Sequence, residues 1–447
     1  MVSDRLQQLT ARLPGRVFRP ATDEYARATS PHNASARQRP AAVVAAQDAG
    51  DVAACLQAAA EAEWRVAVQA SGHGAAGEIG ADTLLLDTSR LNRVTVDADR
   101  RVVTAGAGTA MSAINQAAFA HGLLAPGGTS PDVAVTGYTA HGGVGWLTRP
   151  HGLASAALLS VDVVDGTGRP FRADDDQNSD VLWAYRGGGG AGVATAVQLR
   201  LFPASALHAG YLLWDAGHAA EVVRAWGQAV PDLDSALSTS ISLLHAPAAP
   251  FIPEALRGKP VVHLAAATVG GEAAMQTLRK ALSALPEPAA NTLGPCDAAR
   301  LSGIHLDPPV AVPALGEGRW LTASAAEHAL QILAAAGTDS SVAMVELRHV
   351  AAPASSVPGA LTSPGGEILL HAVGAAPDPA ARRRVTTGLE AVLAAARPFD
   401  TGHSAAAFRD GRTATPDALP ADTRTRLASI RRRTDPHELI VVPRQLH

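Results

Sequence analysis

The stretch Val66-Ala-Val-Gln-Ala-Ser-Gly-His-Gly-Ala-Ala-Gly77 runs from a β-branched strand into a loop of small residues. One histidine, His73, stands between Gly72 and Gly74 in that loop. Glycines let the backbone approach a ligand closely and let successive N–H groups turn toward an anion. We therefore predict that backbone N–H groups from Ala70 to Ala75 form a phosphate-binding nest with an imidazole beside it.

The composition is that of a large globular protein without signs of a nucleic-acid partner. The chain has 447 residues, 47% hydrophobic and 17% charged, and a net charge of −4. This length predicts two or three domains, and the acidic balance argues against nucleic-acid binding. Cys55 and Cys296 are too few for a disulfide framework or a zinc site, so no metal is expected. No stretch approaches the roughly 20 apolar residues of a membrane span, which favours a cytoplasmic protein without a membrane partner.

Strands and helices alternate over residues 40–205. Apolar runs predict strands at 41–45, 66–69, 83–88, 101–105, 159–164 and 193–201, and helices at 51–63, with Asp51 as N-cap, and 110–121. This mixture predicts an α+β fold with a mixed set of sheets rather than a regular doubly wound array. A Rossmann nucleotide site is not expected. Met111 replaces the third glycine of the motif that begins at Gly106, and a strand follows the glycines near residue 190.

The pattern changes after Pro203. Apolar runs predict strands at 237–244, 261–268, 342–350 and 368–373, and helices at 219–230 and 272–285. We predict that residues 206–400 form a second domain, an antiparallel sheet flanked by helices. Residues 1–205 and 401–447 then form the first domain.

Several separated segments share a pattern that runs in one order along the chain. They are Arg39-Pro-Ala-Ala-Val-Val, the His73 loop, Leu86-Asp-Thr-Ser-Arg-Leu-Asn-Arg-Val, Gly128-Thr-Ser-Pro-Asp-Val-Ala-Val-Thr-Gly-Tyr-Thr-Ala-His-Gly-Gly-Val-Gly-Trp-Leu147, Arg149-Pro-His-Gly-Leu, Val345-Glu-Leu-Arg-His and Thr434-Asp-Pro-His-Glu-Leu. Together they resemble the FAD-linked oxidases of the berberine bridge enzyme and 6-hydroxynicotine oxidase type. The resemblance implies a PCMH-type FAD-binding domain of two subdomains, followed by a substrate-binding domain.

The same resemblance implies which residues contact FAD. They are Ala70, Ser71, Gly72, His73, Gly74, Ala75, Gly77, Ser130, Pro131, Val135, Gly137, Tyr138, His141, Gly142, Gly145, Val193 and Pro443. Members of this family bond the flavin to a histidine at the place of His73, and many use a cysteine where this chain has Ser130. A serine oxygen is a poor replacement for a thiolate. The resemblance therefore implies one covalent bond, through His73.

We predict that the catalytic residues lie in the second domain and in the segment of residues 128–147. Hydride transfer needs a substrate held against the flavin and often a base. Glu346 and Arg348 share one face of a regular strand, and His349 points to the other. We predict Glu346, Tyr138 and His349 as catalytic residues, while Glu346 and Arg348 also fit a simple ion pair.

The expected function is that of an FAD-dependent oxidoreductase. It would take hydride from a small or medium organic molecule, such as a bacterial secondary metabolite, and pass the electrons to O2. Departures from the family pattern, among them His141, Ala407 and Pro443, leave a redox-neutral cyclase or a binding protein on the same fold as the alternative. The sequence identifies neither the substrate nor the oligomeric state.

Overall fold

The computed structural model describes residues 2–250, 252–308, 310–337, 340–413 and 418–441. The α-helices are α1 (Val2–Arg12), α2 (Asp23–Ala28), α3 (Ala49–Ala62), α4 (Met111–Phe119), α5 (Val135–Ala140), α6 (Thr148–His151), α7 (Ser179–Tyr185), α8 (Ala219–Ala229), α9 (Gly271–Leu282), α10 (Ala298–Leu301), α11 (Ala329–Ala334), α12 (Pro379–Ala396) and α13 (Ala421–Thr434). The strands are β1 (Val17–Phe18), β2 (Arg37–Gln38), β3 (Ala42–Ala45), β4 (Arg65–Gln69), β5 (Glu78–Ile79), β6 (Thr83–Asp87), β7 (Val94–Asp97), β8 (Val102–Gly106), β9 (Leu123–Leu124), β10 (Leu158–Val164), β11 (Pro170–Ala173), β12 (Val193–Arg200), β13 (Phe202–Pro203), β14 (His208–Asp215), β15 (Leu237–His245), β16 (Pro260–Thr268), β17 (Ala290–Asn291), β18 (Gly294–Pro295), β19 (Ala314–Leu321), β20 (Val342–His349), β21 (Ile368–Ala375), β22 (Asp400–Ser404) and β23 (Ile440–Val441).

The first sheet carries the loop of residues 70–77, which we call the glycine loop, at the carboxyl end of β4. Its strands lie in the order β1-β3-β6-β4-β23, and every pair except β1 with β3 is parallel. Parallel strands are covered on both faces, which explains why β3 and most of β6 are continuous buried apolar runs. The glycine loop begins where β4 ends, at Gln69.

The second sheet is antiparallel, in the order β11-β10-β12-β8-β7. One apolar core joins it to the first sheet, with Val66 and Leu84 on one side and Val161 and Val197 on the other. These two sheets are the two subdomains that the resemblance implies. They confirm the predicted α+β class.

A large antiparallel sheet forms the second half of the molecule, in the order β17-β14-β16-β15-β20-β21-β19-β22 with β18 beside β14. Residues of α8, α9, α11 and α12 cover one face and pack against Leu237, Val345 and Leu347 of the sheet. The other face meets the first half of the chain through two apolar clusters, one around Trp146 and one around Trp320. Burial on both faces explains the long apolar run of β16 and the absence of charged side chains from the buried part of β15, where serine and threonine stand between the apolar residues.

Some boundaries and elements differ from the prediction. Helix α3 starts two residues early, because Asp48 rather than Asp51 accepts the hydrogen bond at the N-cap, from the Asp51 N–H at 2.9 Å. The sequence pattern missed β14, β19 and α12, whose apolar residues are interrupted by glycine, charged or alanine-rich positions. Strand β22 spans the predicted domain boundary at residue 401 and pairs with β19 in the large sheet.

Among the residues that the structure describes, no helix combines the length and the apolarity that crossing a membrane would require.

Candidate active site

The glycine loop presents a row of free backbone donors. The N–H groups of Ser71, Gly72, His73 and Gly74 meet no acceptor among the described residues, whereas Ala75 donates to the carbonyl of Gly72. Gly72 has a φ of +74°, and a side chain there would collide with Pro31, since its Cβ would lie 2.6 Å from the proline Cβ. Four consecutive backbone donors within the predicted nest are therefore unused among the described residues, an arrangement that suits an anion.

The glycine loop contacts residues 128–147, the second stretch that the resemblance implies for flavin binding, which we call the cofactor segment. Ser71 Oγ accepts a hydrogen bond from the N–H of Ala134 at 3.3 Å, and His73 Nε2 lies 2.8 Å from Oδ1 of Asp132. His32 stacks on His73, with ring centroids 3.7 Å apart, and its Nδ1 lies 3.4 Å from the other Asp132 oxygen. We call His32, His73 and Asp132 the surface triad, because the Asp132 side chain is 57% exposed. Sequence reasoning missed His32 and Asp132, which lie far from His73 in the chain.

Tyr138 is held in a cage of glycines. A Cβ at Gly128, Gly143 or Gly145 would lie 2.9 Å from the Tyr138 ring or its hydroxyl oxygen, so only glycine fits at these positions. The Tyr138 hydroxyl is buried without a hydrogen-bond partner among the described residues. Burial raises the pKa of this phenol, so it remains protonated and acts as a donor.

The other predicted cofactor residues occupy this segment or flank it. The Pro131 carbonyl accepts from the Ser112 N–H at 3.0 Å, and the Gly137 carbonyl accepts from Nδ1 of His141 at 2.8 Å. Further positions are the start of α5 at Val135, the loop glycines Gly77 and Gly142 with positive φ, and Val193 at the start of β12, on which α5 packs. Pro443 lies outside the described residues.

A network of charged side chains is buried where the large sheet faces the cofactor segment. Arg348 Nη2 donates to Oε2 of Glu346 at 2.9 Å, and His305 Nε2 lies 3.1 Å from Oε1 of the same residue. His305 Nδ1 lies 2.8 Å from Oδ1 of Asp307. Glu346 and Arg348 are each 1% exposed. We call these four residues the buried network; two cations and two carboxylates balance within it, which allows burial.

Each charge of the buried network stabilises the charged form of its neighbours. Burial alone would raise the pKa of Glu346, but Arg348 and His305 hold it well below its ordinary value. Burial alone would lower the pKa of His305, but the carboxylates of Asp307 and Glu346 raise it to about 10. At neutral pH Glu346 is therefore ionised and His305 protonated.

The buried network is joined to the cofactor segment. Ser130 donates a hydrogen bond of 2.5 Å to Oδ2 of Asp307. The Arg348 guanidinium lies between the rings of Trp146 and Phe408, 5.5 and 5.6 Å from their centroids. The buried network beside the large sheet thus touches the segment that the sequence predicts to hold the flavin.

The structure separates His349 from the other predicted catalytic residues. His349 lies on the opposite face of β20 from Glu346 and Arg348, as strand alternation predicts, and therefore on the face covered by the helices. Burial, with the charge of Arg149, lowers its pKa to about 3. His349 therefore does not belong to the buried network. His305 and Asp307, which do, lie in an irregular loop that periodicity does not single out; its only signal is the His-Leu-Asp spacing.

A cleft opens beside the buried network. Its mostly apolar lining includes Val144, Trp320, Leu361, Ala405 and Phe408. Phe408 also contacts Arg348, so the cleft reaches the edge of the network. Its apolar lining suits contact with the hydrocarbon part of an organic molecule.

The residues present fit FAD. The unused donors of Ser71–Gly74 match a pyrophosphate anion, and the space around a Cβ at Gly74 or Gly137 is open. Four buried polar atoms in the segment 128–147 or in contact with it have no partner among the described residues: Thr136 Oγ1, Tyr138 Oη, Trp146 Nε1 and Arg348 Nη1. Such atoms are costly unless a bound group satisfies them.

Comparison with known proteins agrees with this geometry. Residues 40–174 match the family profile described as FAD binding domain. The chain superimposes on 6-hydroxy-D-nicotine oxidase from Arthrobacter nicotinovorans with a TM-score of 0.81 and 20% identity, covering 97% of this chain and 98% of that one. The chain has the fold of the FAD-linked oxidases. The resemblance seen in the sequence is confirmed, and the cofactor it implies is FAD.

Sequence similarity to curated relatives covers a smaller part. The FAD-linked oxidoreductase YvdP of Bacillus subtilis is 29% identical over 239 residues, which is 52% of this chain and 54% of that protein. The (R)-6-hydroxynicotine oxidase of Paenarthrobacter nicotinovorans is 33% identical over 181 residues, 40% of this chain and 39% of that protein. The chain thus spans about half the length of these relatives or less.

Proposed function

We propose that the protein is an FAD-dependent oxidase that removes hydride from a small organic molecule and passes the electrons to O2. One observation carries the proposal: the cofactor segment is in direct contact with the buried network. Ser130 donates a hydrogen bond to Asp307, and the Trp146 ring lies against Arg348. Substrate held against this network would lie beside the flavin, as hydride transfer requires.

The chain's own residues would hold the cofactor in three places. The N–H groups of Ser71–Gly74 would bind the pyrophosphate, and Tyr138 and Trp146 would donate to the polar edge of the ring. His73 would carry a single covalent bond to the flavin, since Ser130 replaces the second attachment residue and donates to Asp307 instead. When bound, FAD supplies the hydride acceptor and the reaction with O2.

Glu346 and Arg348 would orient the polar end of the substrate. Both Glu346 oxygens are already engaged, so Glu346 accepts a proton only when it gives up a contact with His305 or Arg348. Arg348 keeps one nitrogen, Nη1, without a partner among the described residues, and this donor is available to a substrate oxygen or nitrogen. The apolar cleft would receive the rest of the molecule and exclude water from it.

The test is anaerobic reduction followed by reoxidation. Purified protein is mixed without oxygen with (R)-6-hydroxynicotine and with a panel of cyclic amines and secondary alcohols, and the visible absorption is followed. The proposal expects at least one compound to bleach the flavin, and air to restore the colour with formation of one hydrogen peroxide per substrate. A colourless protein that cannot be reconstituted with FAD would contradict it and favour a redox-neutral cyclase or binding protein. A flavin that compounds reduce but O2 does not reoxidise would replace the oxidase by a dehydrogenase.

A further inference from the structure

The surface triad brings together three segments that are distant in the sequence. His73 comes from the glycine loop, Asp132 from the segment before α5, and His32 from the irregular chain between α2 and β2. Asp132 bridges the two imidazoles, with Oδ1 2.8 Å from Nε2 of His73 and Oδ2 3.4 Å from Nδ1 of His32. The two rings are nearly parallel, with 18° between their planes. The plane and the direction of the His73 ring are therefore both fixed.

This arrangement selects one tautomer of His73. A carboxylate only accepts hydrogen bonds, so Nε2 of a neutral His73 carries the proton that it shares with Asp132. The lone pair then lies on Nδ1, which has no hydrogen-bond partner among the residues that the structure describes. His73 is thus prepared to act as a nucleophile through Nδ1.

Asp132 also opposes the charge that arises when Nδ1 is alkylated. An imidazole that gains a carbon on Nδ1 while it keeps the Nε2 proton is a cation, and a carboxylate at 2.8 Å stabilises that cation. Hydrogen bonds from His32 and His73 hold the pKa of Asp132 far below its ordinary value, so the carboxylate is ionised throughout the neutral range.

We propose that Asp132, supported by His32, is a positioning residue that makes Nδ1 of His73 the atom of covalent flavin attachment. This rests on the proposed function, since it requires FAD in the site. In the reaction a bond forms between Nδ1 and the ring methyl carbon nearest to it, and one C–H bond of that methyl breaks. The methyl proton leaves, and the imidazole keeps its Nε2 proton and becomes a cation. The electron pair of the broken C–H bond passes to the flavin ring, and O2 takes up those two electrons together with the methyl proton and one proton from solvent as hydrogen peroxide.

The same three side chains offer atoms that a divalent metal ion binds, all within 4.8 Å of one another. A metal on Nε2 of His73 would displace the proton shared with Asp132, so that the carboxylate would no longer select the tautomer of His73. Stoichiometric metal is therefore the competing occupant, and the experiment must measure it.

The experiment compares Asp132→Asn, Asp132→Glu and His32→Asn with the wild-type chain. Glu221→Gln is the matched control, because His218 and Glu221 form another partly exposed imidazole–carboxylate contact, 2.6 Å long, at the start of α8. Each protein is produced under riboflavin limitation and then incubated with FAD in air. Noncovalent binding is measured by the quenching of flavin fluorescence, and covalent bonding by intact mass and by the flavin retained after acid precipitation.

We expect Asp132→Asn to bind FAD with nearly unchanged affinity but to form the covalent bond roughly tenfold to a hundredfold more slowly, as for the loss of other groups that orient a histidine. His32→Asn should slow it less, Asp132→Glu should recover part of the rate, and Glu221→Gln should match the wild type. In the wild-type flavinyl peptide, NMR should place the bond on Nδ1.

Four results would overturn the proposal: a wild-type rate in Asp132→Asn, a bond to Nε2, a stoichiometric metal ion in the purified protein, or wild-type FAD bound without any covalent bond. The last result would leave the FAD-dependent oxidase intact, because flavin reduction and reoxidation do not require the bond. If Asp132→Asn fails to fold, the rates of Asp132→Glu and His32→Asn decide, since equal rates in both and in the wild type contradict the proposal.

Discussion

The surface triad and the buried network both pair imidazole with carboxylate, but they do so in opposite surroundings. In the surface triad the Asp132 side chain is 57% exposed, and one nitrogen of His73 is left unused. In the buried network Glu346 and Arg348 are each 1% exposed, and both nitrogens of His305 meet a carboxylate. The difference teaches that the same contact directs reactivity near solvent, where one atom stays free, and supports the fold in the interior, where nearly all charges are paired.

The largest effect on stability should come from breaking the buried network. Arg348→Met leaves the buried carboxylate of Glu346 and the half-buried one of Asp307 opposite one imidazolium, and such losses cost about 3–5 kcal/mol of unfolding free energy. Urea unfolding would measure it, with Arg279→Met as control, because Arg279 pairs with Glu272 on the surface at 2.6 Å. The control should lose less than about 1 kcal/mol. Equal losses of unfolding free energy in the two variants would show that the buried network stabilises the fold no more than a surface ion pair does.

Loss of the Arg149 contacts between the two halves of the chain should lower the unfolding free energy by a smaller amount. Arg149 of α6 donates to the carbonyls of Leu233, Asp234 and Leu237 beside the large sheet. Hydrogen bonds from a charged group contribute about 1.5–3 kcal/mol, so Arg149→Met should lower the unfolding free energy by an amount in this range. Denaturant unfolding of this variant beside the wild type measures the loss. A loss below about 0.5 kcal/mol would mean that the apolar clusters alone join the halves.

The pH dependence of stability should separate the two regions next. The pKa of His305 rises from 6.5 in the unfolded chain to about 10 in the fold. Its contribution is therefore complete below pH 6.5 and is lost as the pH rises toward 10. The difference in unfolding free energy between wild type and His305→Gln should shrink over that range. A constant difference from pH 6 to pH 10 would contradict the charged state assigned to His305.

The smallest stability effect should belong to the surface triad. Asp132→Asn removes an exposed charge, so the unfolding free energy should change by less than about 1 kcal/mol. Thermal unfolding of the apoprotein measures it without interference from bound flavin. A loss as large as that of Arg348→Met would mean that the triad supports the fold, and the contrast between the two regions would disappear.

Much of the fold followed from local patterns. The strands at 42–45 and 261–268 were predicted nearly to the residue because burial on both faces leaves continuous apolar runs. Those at 66–69 and 237–244 were predicted from their β-branched and apolar residues. Strand β19 was missed because Gly316, Glu317 and Gly318 interrupt it. Arg431 of α13 is half-buried and donates to the carbonyls of Gly188 and Gly190, contacts across more than 240 positions that no local pattern indicates.

The candidate site was predictable only where glycine or a strand position marks it. The glycine loop and the shared face of Glu346 and Arg348 depend on local geometry, which the sequence contains. His305 reaches Glu346 across 41 positions, and Asp132 reaches His73 across 59. Such partners are set by the packing of segments, for which a single sequence has no periodic signal.

The most direct test of the central claim is the intact mass of the purified protein under denaturing conditions, followed by peptide mapping. The account predicts a mass increase equal to one FAD, confined to the peptide that contains His73. A protein of unmodified mass that releases FAD would contradict the covalent bond and make the surface triad an ordinary loop contact. A protein of unmodified mass without FAD, even after reconstitution, would contradict the proposed oxidase itself.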